Sequence, residues 1–546
     1  MGAMSSAGLL LAAALFFPLV LAICCLSARF RARALAVVVI APLPALAAAV
    51  LVPEGRFAFF PAPFRLTLVL DQPGAILLGG AALLWSAAGA YAASLMARDP
   101  AASRFAIWWL LTLTGSLGLF IVGDVVNFYL LFTLASLAAY GLIIHEQSAS
   151  AHRAGVIYVG LALLGEAFLL IALVMLSAMH PDANPQIRSV VAELPASPMR
   201  DGTLALFIIG FALKMGLVPL HVWLPLAHPA APTPASAVLS GVVVKAGVIG
   251  LIRFLPFEAG APLWGSVLIG VGLVTAYYGV IVGITQARAK TVLAYSTVSQ
   301  MGLLAVLLGV GLDTADPAVT NLTAYYAVHH TLVKGALFLG VGVLATTGGR
   351  RLRLALLLTA VLALSLGGMP LTSGALAKLA TKPLFGYGWL AGAMTLAGAG
   401  STALMLHFLL ILRRDTAGNT AGSPALGQLL PWLVVVAAAF LIPWSLYPAV
   451  SGETVSGLLQ PEALWKVTWP MLLGAVAMLF VHRLPQRLGA IPEGDIIVLA
   501  QAAQPVARRF SDRIGGIDAH FRRWPVAGFA LIALAILLGG VLMLQA

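Results

Sequence analysis

The sequence predicts an all-α protein that crosses a membrane many times. Hydrophobic residues make up 61% of the chain and charged residues only 9%, whereas about a quarter of a soluble domain is charged. Apolar runs long enough to cross a hydrocarbon core of about 30 Å recur from one end to the other. Because backbone groups in lipid must be bonded within their own segment, we expect helices.

The apolar runs predict 14 to 16 transmembrane helices. They lie near residues 5–28, 34–52, 74–97, 106–123, 125–144, 154–178, 204–224, 234–256, 262–285, 290–311, 320–346, 354–381, 388–412, 428–448, 466–481 and 525–545. The first run resembles the others, so it is interpreted as a retained span rather than a signal peptide. Between the last two runs, residues 493–523 mix arginines with apolar residues, which is typical of an amphipathic surface helix. The tryptophans Trp108 and Trp109 are expected at the membrane interface.

The basic residues predict how the chain is oriented. Arginines cluster after the first, third, fifth, ninth, eleventh and thirteenth spans, and acidic residues are commoner in the alternate loops. The positive-inside rule therefore places the odd-numbered loops in the cytoplasm. The net charge of +12 is explained by this orientation, so no nucleic-acid partner is predicted.

No cofactor or metal site is predicted. The two cysteines, Cys24 and Cys25, are adjacent, which gives no disulfide framework and no zinc or iron–sulfur spacing. A Gly-x-Gly-x-x-Gly turn between a strand and a helix is also absent. These absences exclude a stand-alone oxidoreductase.

Ionisable residues inside the apolar runs are the candidate functional residues. A charge at the centre of a bilayer costs about 2.5–3.5 kcal/mol on insertion scales, so such residues are rare and usually functional. The candidates are Glu166, Lys214, His221, Lys245, His330, Lys334 and Lys378. Tyr326, His330 and Lys334 are four residues apart and share one helix face. Lysines and histidines in series can pass a proton from one to the next, so the pattern predicts an ion path.

Less specific interpretations compete at some positions. His221 and His228 flank prolines, and each could simply bond carbonyls freed by the break. His407 is more typical of a satisfied core histidine, and Lys382 of an interfacial lysine. Inert buried ion pairs are disfavoured for Glu166 and the buried lysines, because apolar residues often stabilise such positions better.

Two spans are predicted to be broken near a lysine. Pro219 and Pro225 follow Lys214, and Gly367, Gly368 and Pro370 precede Lys378. These spans, the seventh and twelfth, are five apart, as two five-helix inverted repeats with ion sites at the breaks would require. The predicted domains are 1–105, 106–256 for the first repeat, 257–412 for the second, and 413–546.

Several motifs match one family. They are DVVNFYLLFTLASLAAY (124–140), FALKMGLVPLHVWLPLAHPAAPTPASAVLSGVVVKAG (211–247), AKTVLAYSTVSQMGLL (289–304), HHTLVKGALFLGVG (329–342) and GMPLTSGALAKLATK (368–382). Over roughly residues 60–412 the chain resembles the antiporter-like subunits of respiratory complex I, Mrp-type sodium/proton antiporters and membrane-bound hydrogenases. The resemblance implies two inverted repeats, each with a half-channel. It also implies a central polar axis that contains Lys214, Lys245, His330, Lys334 and Lys378.

The chain departs from the family pattern at two positions. The family usually has a glutamate in the fifth span that pairs with the lysine of the seventh, but here the matching residue is Thr133. Glu166, one span later, is the only acid inside an apolar run that is near enough in sequence to replace it, so we predict a relocated pair between Glu166 and Lys214. Tyr326 stands where the family often has a second histidine.

The residues and the resemblance together imply a proton- or Na⁺/H⁺-translocating subunit of a multi-subunit complex in a bacterial inner membrane. Such a chain would be at most a non-catalytic subunit of an ion-translocating complex, which could be an antiporter or resemble NADH:quinone oxidoreductase or a hydrogenase. The alternative is the ion-driven membrane subunit of an inorganic-carbon (bicarbonate or CO₂) uptake complex. The expected partners are other membrane subunits, the lipid bilayer, and protons or Na⁺.

Overall fold

The computed structural model describes residues 6–31, 33–60, 65–178, 180, 184–419, 422–483 and 491–497. It is 79% helical, which confirms the all-α prediction. The first helices are α1 (Ser6–Cys24), α2 (Ala28–Arg31), α3 (Ala34–Ile40), α4 (Leu43–Leu51), α5 (Gln72–Leu95), α6 (Ala102–Gly118), α7 (Val125–Ile143), α8 (Ala149–Ser177), α9 (Ile187–Glu193), α10 (Arg200–Met215) and α11 (Trp223–Ala230). The remaining ones are α12 (Thr233–Val238), α13 (Lys245–Phe254), α14 (Pro262–Ile284), α15 (Ala289–Thr314), α16 (Val319–Ala345), α17 (Gly349–Gly367), α18 (Ser373–Thr381), α19 (Trp389–Asp415), α20 (Leu426–Ser451) and α21 (Pro461–Arg483).

Twelve helical segments in the described part of the chain are long and apolar enough to cross a membrane, where α3 with α4 and α12 with α13 each count as one segment. The other four of the sixteen predicted spans are accounted for individually. The fourth is α6, which has only 17 residues. The seventh and twelfth are broken, and the last, at 525–545, lies outside the described residues, as does most of the predicted amphipathic segment at 493–523.

Both predicted breaks are present. The helix α10 ends at Met215 and is capped by Gly216, whose φ of +76° is a left-handed conformation that favours glycine, and α11 begins at Trp223. The helix α17 ends at Gly367 and is capped in the same way by Gly368, with φ of +100°, before α18 begins at Ser373. A further irregularity was not predicted. It is a π-helical turn, Leu239–Val243, which separates α12 from α13.

A small β-hairpin was also missed by the sequence prediction. Strands β1 (Gly55–Phe59) and β2 (Leu66–Leu70) pair antiparallel, with Gly55 opposite Leu70. The buried Asp124 caps α7 by accepting a hydrogen bond from the backbone of Asn127 at 2.9 Å, and it accepts another from Thr67 of β2 at 2.8 Å. The hairpin is therefore tied to the start of α7.

The centre of the bundle consists of α12–α13, α15 and α16, which are buried almost along their whole length. Glycines let α14 approach α15 closely. A Cβ atom on Gly272 would lie 2.7 Å from the carbonyl oxygen of Gly302, and one on Gly265 would lie 2.7 Å from that of Gly309. Small residues at such contacts are typical of helix packing in membranes, where close van der Waals contact replaces the hydrophobic effect.

One tryptophan prediction was wrong. Trp109 is fully buried instead of lying at the interface, and its ring packs edge-on against that of Trp85, with 4.7 Å between centroids. Trp108 is half-buried. An aromatic ring gains more from such packing than from the interface when neighbouring helices enclose it.

An ion pair joins the start of α5 to the end of α13. Asp71 caps α5 by accepting from the backbone of Gly74 at 3.0 Å, and Arg253 donates to both carboxylate oxygens of Asp71. Burial alone would raise the pKa of Asp71, but the charge and hydrogen bonds of Arg253 bring it below its ordinary value. This contact connects two residues that are 182 positions apart in sequence.

Candidate functional site

Lys214 lies in the last turn of α10, directly before the first break. Its ammonium donates to the hydroxyl of Ser136 in α7 at 2.9 Å and to that of Tyr158 in α8 at 3.1 Å. The Tyr158 hydroxyl in turn donates to the carbonyl of Ser136 at 2.8 Å. The rings of Phe132 and Tyr158 lie 5.7 and 5.5 Å from the ammonium nitrogen, within the range of cation–π attraction. The side chain is therefore held by hydroxyls and aromatic rings.

Glu166 faces the protein interior, since only 4% of it is exposed. It lies close enough for its charge to act on both Lys214 and Tyr158. Glu166 and Lys214 form no ion pair within 4.0 Å, however, because the lysine is bonded to Ser136 and Tyr158 instead. One carboxylate oxygen of Glu166, Oε1, has no hydrogen-bond partner in the described structure. The predicted pair is thus an interaction at longer range and not a contact.

His221 lies in the first break and is fully buried. Its ring packs against Tyr278 of α14 and Tyr295 of α15, with centroids 5.0 and 6.2 Å away. In the same break, the backbone of Val218 donates to the hydroxyl of Thr275 in α14 at 3.0 Å. The break of the first half of the chain is therefore anchored on helices of the second half.

Lys245 is placed by the π-helical turn. Its ammonium donates to the carbonyl of Ser240, five residues earlier, at 3.0 Å, and lies 2.6 Å from Nδ1 of His330 in α16. A π turn changes which carbonyls are free, and such turns are frequent at functional sites. The hydroxyl of Ser240 is also bonded to that of Thr297 in α15, at 2.7 Å.

The residues of the predicted shared face of α16 contact two neighbouring helices. Lys334 is fully buried and donates to the carbonyl of Leu293 in α15 at 2.7 Å. The hydroxyl of Tyr326 donates to Gln300 at 3.0 Å, and Gln300 donates to Ser401 in α19 at 3.1 Å. This face therefore contacts α15, while His330 reaches Lys245 of α13.

His329 is a candidate that the sequence prediction missed. Its Nδ1 lies 2.9 Å from the hydroxyl of Ser373, the first residue of α18 after the second break. It is close enough to Lys378 and Lys245 for their charges to act on it. The signal in the sequence was its position next to His330, but the partner is 44 residues away and could not be identified from spacing.

Lys378 lies in α18 and donates to the carbonyl of Gly367 at the end of α17. Two glycines leave space for its side chain. A Cβ on Gly368 would lie 2.9 Å from its Cδ, and one on Gly398 of α19 would lie 3.0 Å from its Nζ. Lys378 also lines a cavity of about 70 Å³ that Lys382 and Lys466 share.

Two further histidines and Lys290 are buried or half-buried. His407 lies 2.8 Å from the carbonyl of Gln286, which fits a satisfied core histidine. His228 is fully buried with neither ring nitrogen bonded in the described structure, and the charges of Lys334, Lys290 and Lys245 act on it. Lys290, near the start of α15, donates to the carbonyl of Ala231 at 2.8 Å.

The structure brings most candidates together, but not all. Lys245, Lys334 and His329 all lie close enough to His330 to act on it electrostatically, and Lys378 lies close enough to act on His329. Lys214 and Glu166 form a separate group whose contacts are with α7 and α8. The two groups are joined by the packing of α10 on α13, where a Cβ on Gly247 would lie 2.5 Å from the carbonyl of Phe211.

The lysines of this site are bonded to neutral partners. Only 3%, 1% and 0% of Lys214, Lys245 and Lys334 are exposed, yet none of them, nor Lys378, forms an ion pair with any described residue. Their partners are hydroxyls, carbonyls and an imidazole, which can bond an amine in more than one protonation state. In the same described part of the chain, no three His, Cys, Asp or Glu side chains are grouped so as to hold a metal ion.

The sequence of this chain is similar to those of known membrane proteins. A family model described as "NADH:quinone oxidoreductase/Mrp antiporter, TM" matches residues 122–406. Hydrogenase-4 component B of Escherichia coli strain K12 is 31% identical over 302 residues, which are 52% of this chain and 44% of that protein. The putative antiporter subunit mnhA2 of Staphylococcus aureus strain MRSA252 is 29% identical over 308 residues, which are 52% of this chain and 38% of that protein. The chain thus spans less than half the length of these curated relatives.

Solved structures show the same fold. The Mrp complex from Dietzia sp. DQ12-45-1b matches with a TM-score of 0.75 and 22% identity, over 99% of this chain and 63% of that one. The membrane-bound sulfane sulfur reductase, an archaeal respiratory membrane complex, matches with a TM-score of 0.67 and 19% identity, over 86% of this chain and 99% of that one. Since the family model covers more than half of the residues, this multi-pass membrane protein belongs to the family of NADH:quinone oxidoreductase and Mrp antiporter transmembrane subunits.

Proposed function

We propose that this chain is a proton- or Na⁺/H⁺-translocating subunit of a multi-subunit complex in a bacterial inner membrane. The observation that carries the proposal is the set of buried lysines bonded only to neutral groups. An inert structural lysine would be expected to have a carboxylate partner, because an unpaired buried charge is costly. Lysines that keep neutral partners can gain and lose a proton without leaving an orphaned carboxylate.

The arrangement supports transfer in steps. Lys245 and His330 are in direct contact at 2.6 Å, so a proton on one can pass to the other. His329 connects this pair to the start of α18, the helix of Lys378. Groups that lie further apart need a water molecule between them, which binds almost as well as a direct partner.

The two broken helices support a division into inverted repeats over residues 106–256 and 257–412. Each proposed repeat has one break with one lysine beside it, Lys214 in the first and Lys378 in the second. Within this proposal, each repeat provides a half-channel to one side of the membrane. The central group at Lys245, His330 and Lys334 joins the two halves.

The names of the relatives favour this function over inorganic-carbon uptake. Those reported above are named for a hydrogenase component, an antiporter subunit, an Mrp complex and a respiratory complex. We infer that this chain likewise works with other membrane subunits. Whether the energy comes from a redox reaction or from an ion gradient is then decided by those partners.

Replacement of Lys334 tests the proposal. In membrane vesicles that contain the chain with its native partners, Lys334→Ala should lower proton translocation at least tenfold, because the central group loses an amine. The matched control is Arg350→Ala, which removes an exposed charge at the start of α17 and should leave the rate unchanged. Normal proton flux in an assembled Lys334→Ala complex would contradict the proposed function.

A further inference from the structure

Lysine and arginine are used differently in this chain. Its 31 basic residues are 24 arginines and seven lysines. Five lysines, Lys214, Lys245, Lys290, Lys334 and Lys378, lie in α10, α13, α15, α16 and α18. The other two, Lys382 and Lys466, line the cavity beside Lys378. Arginine does not lose its proton in proteins, whereas lysine can, so the use of lysine groups this cavity with the proposed path.

The cavity lies between α18, α19 and α21. Besides the three lysines, its polar lining consists of the hydroxyl-bearing residues Tyr326, Thr381 and Thr395, and the rest is mainly apolar. Lys382 and Lys466 are close enough for their charges to repel each other. No carboxylate is among the described residues that line it, and Glu462, one turn before Lys466, forms no ion pair with that lysine.

Lys466 is contributed by a helix outside the part of the chain that the family model matches, which ends at residue 406. The helix α21 packs closely on α19, because a Cβ on its Gly474 would lie 2.2 Å from the carbonyl of Ala399. Ala399 follows Gly398, the residue that makes room for the Lys378 ammonium. The helix is therefore fixed against the wall of the lysine site.

The cavity faces the outer side by the positive-inside rule. The helix α19 ends in Arg413 and Arg414, which the rule places in the cytoplasm. The opposite end of α19 is its first residue, Trp389, and Lys382 lies seven residues before it in sequence. The cavity is then at the end of the path away from the cytoplasm.

We propose that this cavity is the outer mouth of the path and that its lysines make it selective for protons over Na⁺. The inference rests on the proposed function and names the ion that crosses this end. A hard cation such as Na⁺ requires several oxygen ligands and is repelled by ammonium groups. A proton needs neither, since an N–H bond of the donor ammonium breaks while a new N–H bond forms on a neutral amine. A water between the two accepts one proton and releases another, so its composition is unchanged.

The test compares proton flux in Na⁺ and in K⁺ at equal ionic strength, in vesicles of the native complex. Lys466→Glu places a carboxylate in the mouth, and we expect outer Na⁺ to inhibit this variant severalfold more than the unaltered complex. Lys382→Glu should act in the same way from the other wall. Lys466→Arg keeps the charge but cannot release a proton, so its rate should fall with the same Na⁺ response as the unaltered complex.

The outcomes separate this inference from the proposed function. If Lys466→Glu and Lys382→Glu respond to Na⁺ as the unaltered complex does, while Lys378→Ala abolishes flux, the mouth does not select the ion and the inference is wrong. If Lys378→Ala leaves flux normal, the proposed function itself fails. Labelling of Thr395→Cys by a membrane-impermeant thiol reagent checks the location, and no labelling from the outer side would overturn the assignment as an outer mouth.

Discussion

At the scale of single residues, the most informative site is Lys214. The family pattern led us to expect a carboxylate beside it, but the structure provides the hydroxyls of Ser136 and Tyr158. A hydroxyl can accept from an ammonium and can donate to a neutral amine, so it bonds the lysine in either state. A carboxylate would bond only the charged form well. Glu166 then acts through its charge, at longer range.

The role of Glu166 is tested by removing that charge. Glu166→Gln keeps the size of the side chain, and we expect proton flux to fall about as far as in Lys214→Ala, because the lysine loses the negative charge that favours its protonated form. The measurement is proton translocation in vesicles with equal amounts of assembled complex. Thr133→Glu in the Glu166→Gln background restores the family pattern on the adjacent helix and should recover part of the activity. Full activity of Glu166→Gln would show that the hydroxyls alone are sufficient.

Functional residues could be predicted at this scale where a charged residue stands in an apolar run, because charge is rare there. Glu166, Lys214, Lys245 and Lys334 were identified because an ionisable residue in an apolar run is unusual, and all four are buried. Ser136, Tyr158 and His329 were missed. Ser136 and Tyr158 carry no charge that would mark them in an apolar run, and the partners of all three residues lie 44 to 78 residues away in sequence.

At the scale of secondary structure, proline and glycine made the two breaks predictable. The first part of each broken span is capped by a glycine in the left-handed conformation, Gly216 or Gly368. The lysine of that span, Lys214 or Lys378, lies within ten residues of the glycine. The π turn at Leu239–Val243 was not predictable in this way, because it contains no proline and its single glycine lies inside a continuous apolar run. The hairpin of β1 and β2 was missed since its strands are short and lie between two long apolar runs.

The packing of α14 on α15 gives a prediction with a control on the same helix. Gly272→Ala would place a Cβ within 2.7 Å of the Gly302 carbonyl and 2.9 Å of the Val306 backbone nitrogen. Since neither backbone atom can move alone, the helices must separate, which typically costs about 1–3 kcal/mol. We expect a lower thermal midpoint in detergent and less assembled complex. Gly270→Ala meets no atom within 4 Å and should have no effect; equal losses in both variants would rule out this explanation.

At the scale of the whole molecule, burial distinguishes the helices of the proposed central group from the helices around them. The central helices α15 and α16, together with α12–α13, hold Lys245, His330 and Lys334, and they are the most completely buried spans described. Peripheral helices such as α1 and α21 are much more exposed. The sequence predicted this division only through the family resemblance, whose range of 60–412 is wider than the matched region at 122–406. Hydropathy did not reveal it, because central and peripheral helices are similarly apolar.

We predict that the two proposed halves act as one path. Lys214 and Lys378 belong to different proposed repeats, and the structure separates Lys214 from the central group. If an ion must cross both halves in series, blocking either one stops the whole flux. We therefore expect Lys214→Ala and Lys378→Ala each to abolish proton translocation, with assembly intact because neither side chain forms an ion pair that holds helices together.

Two independent routes would behave differently. Each single variant would then leave the share carried by the other route, and only the double variant would lose all flux. Vesicles with matched amounts of complex, assayed for proton uptake under the same driving reaction, distinguish the two cases. A residual flux near half in both single variants, with none in the double variant, would replace the continuous path by two separate ones. Complete loss in each single variant would support one continuous path through both proposed halves.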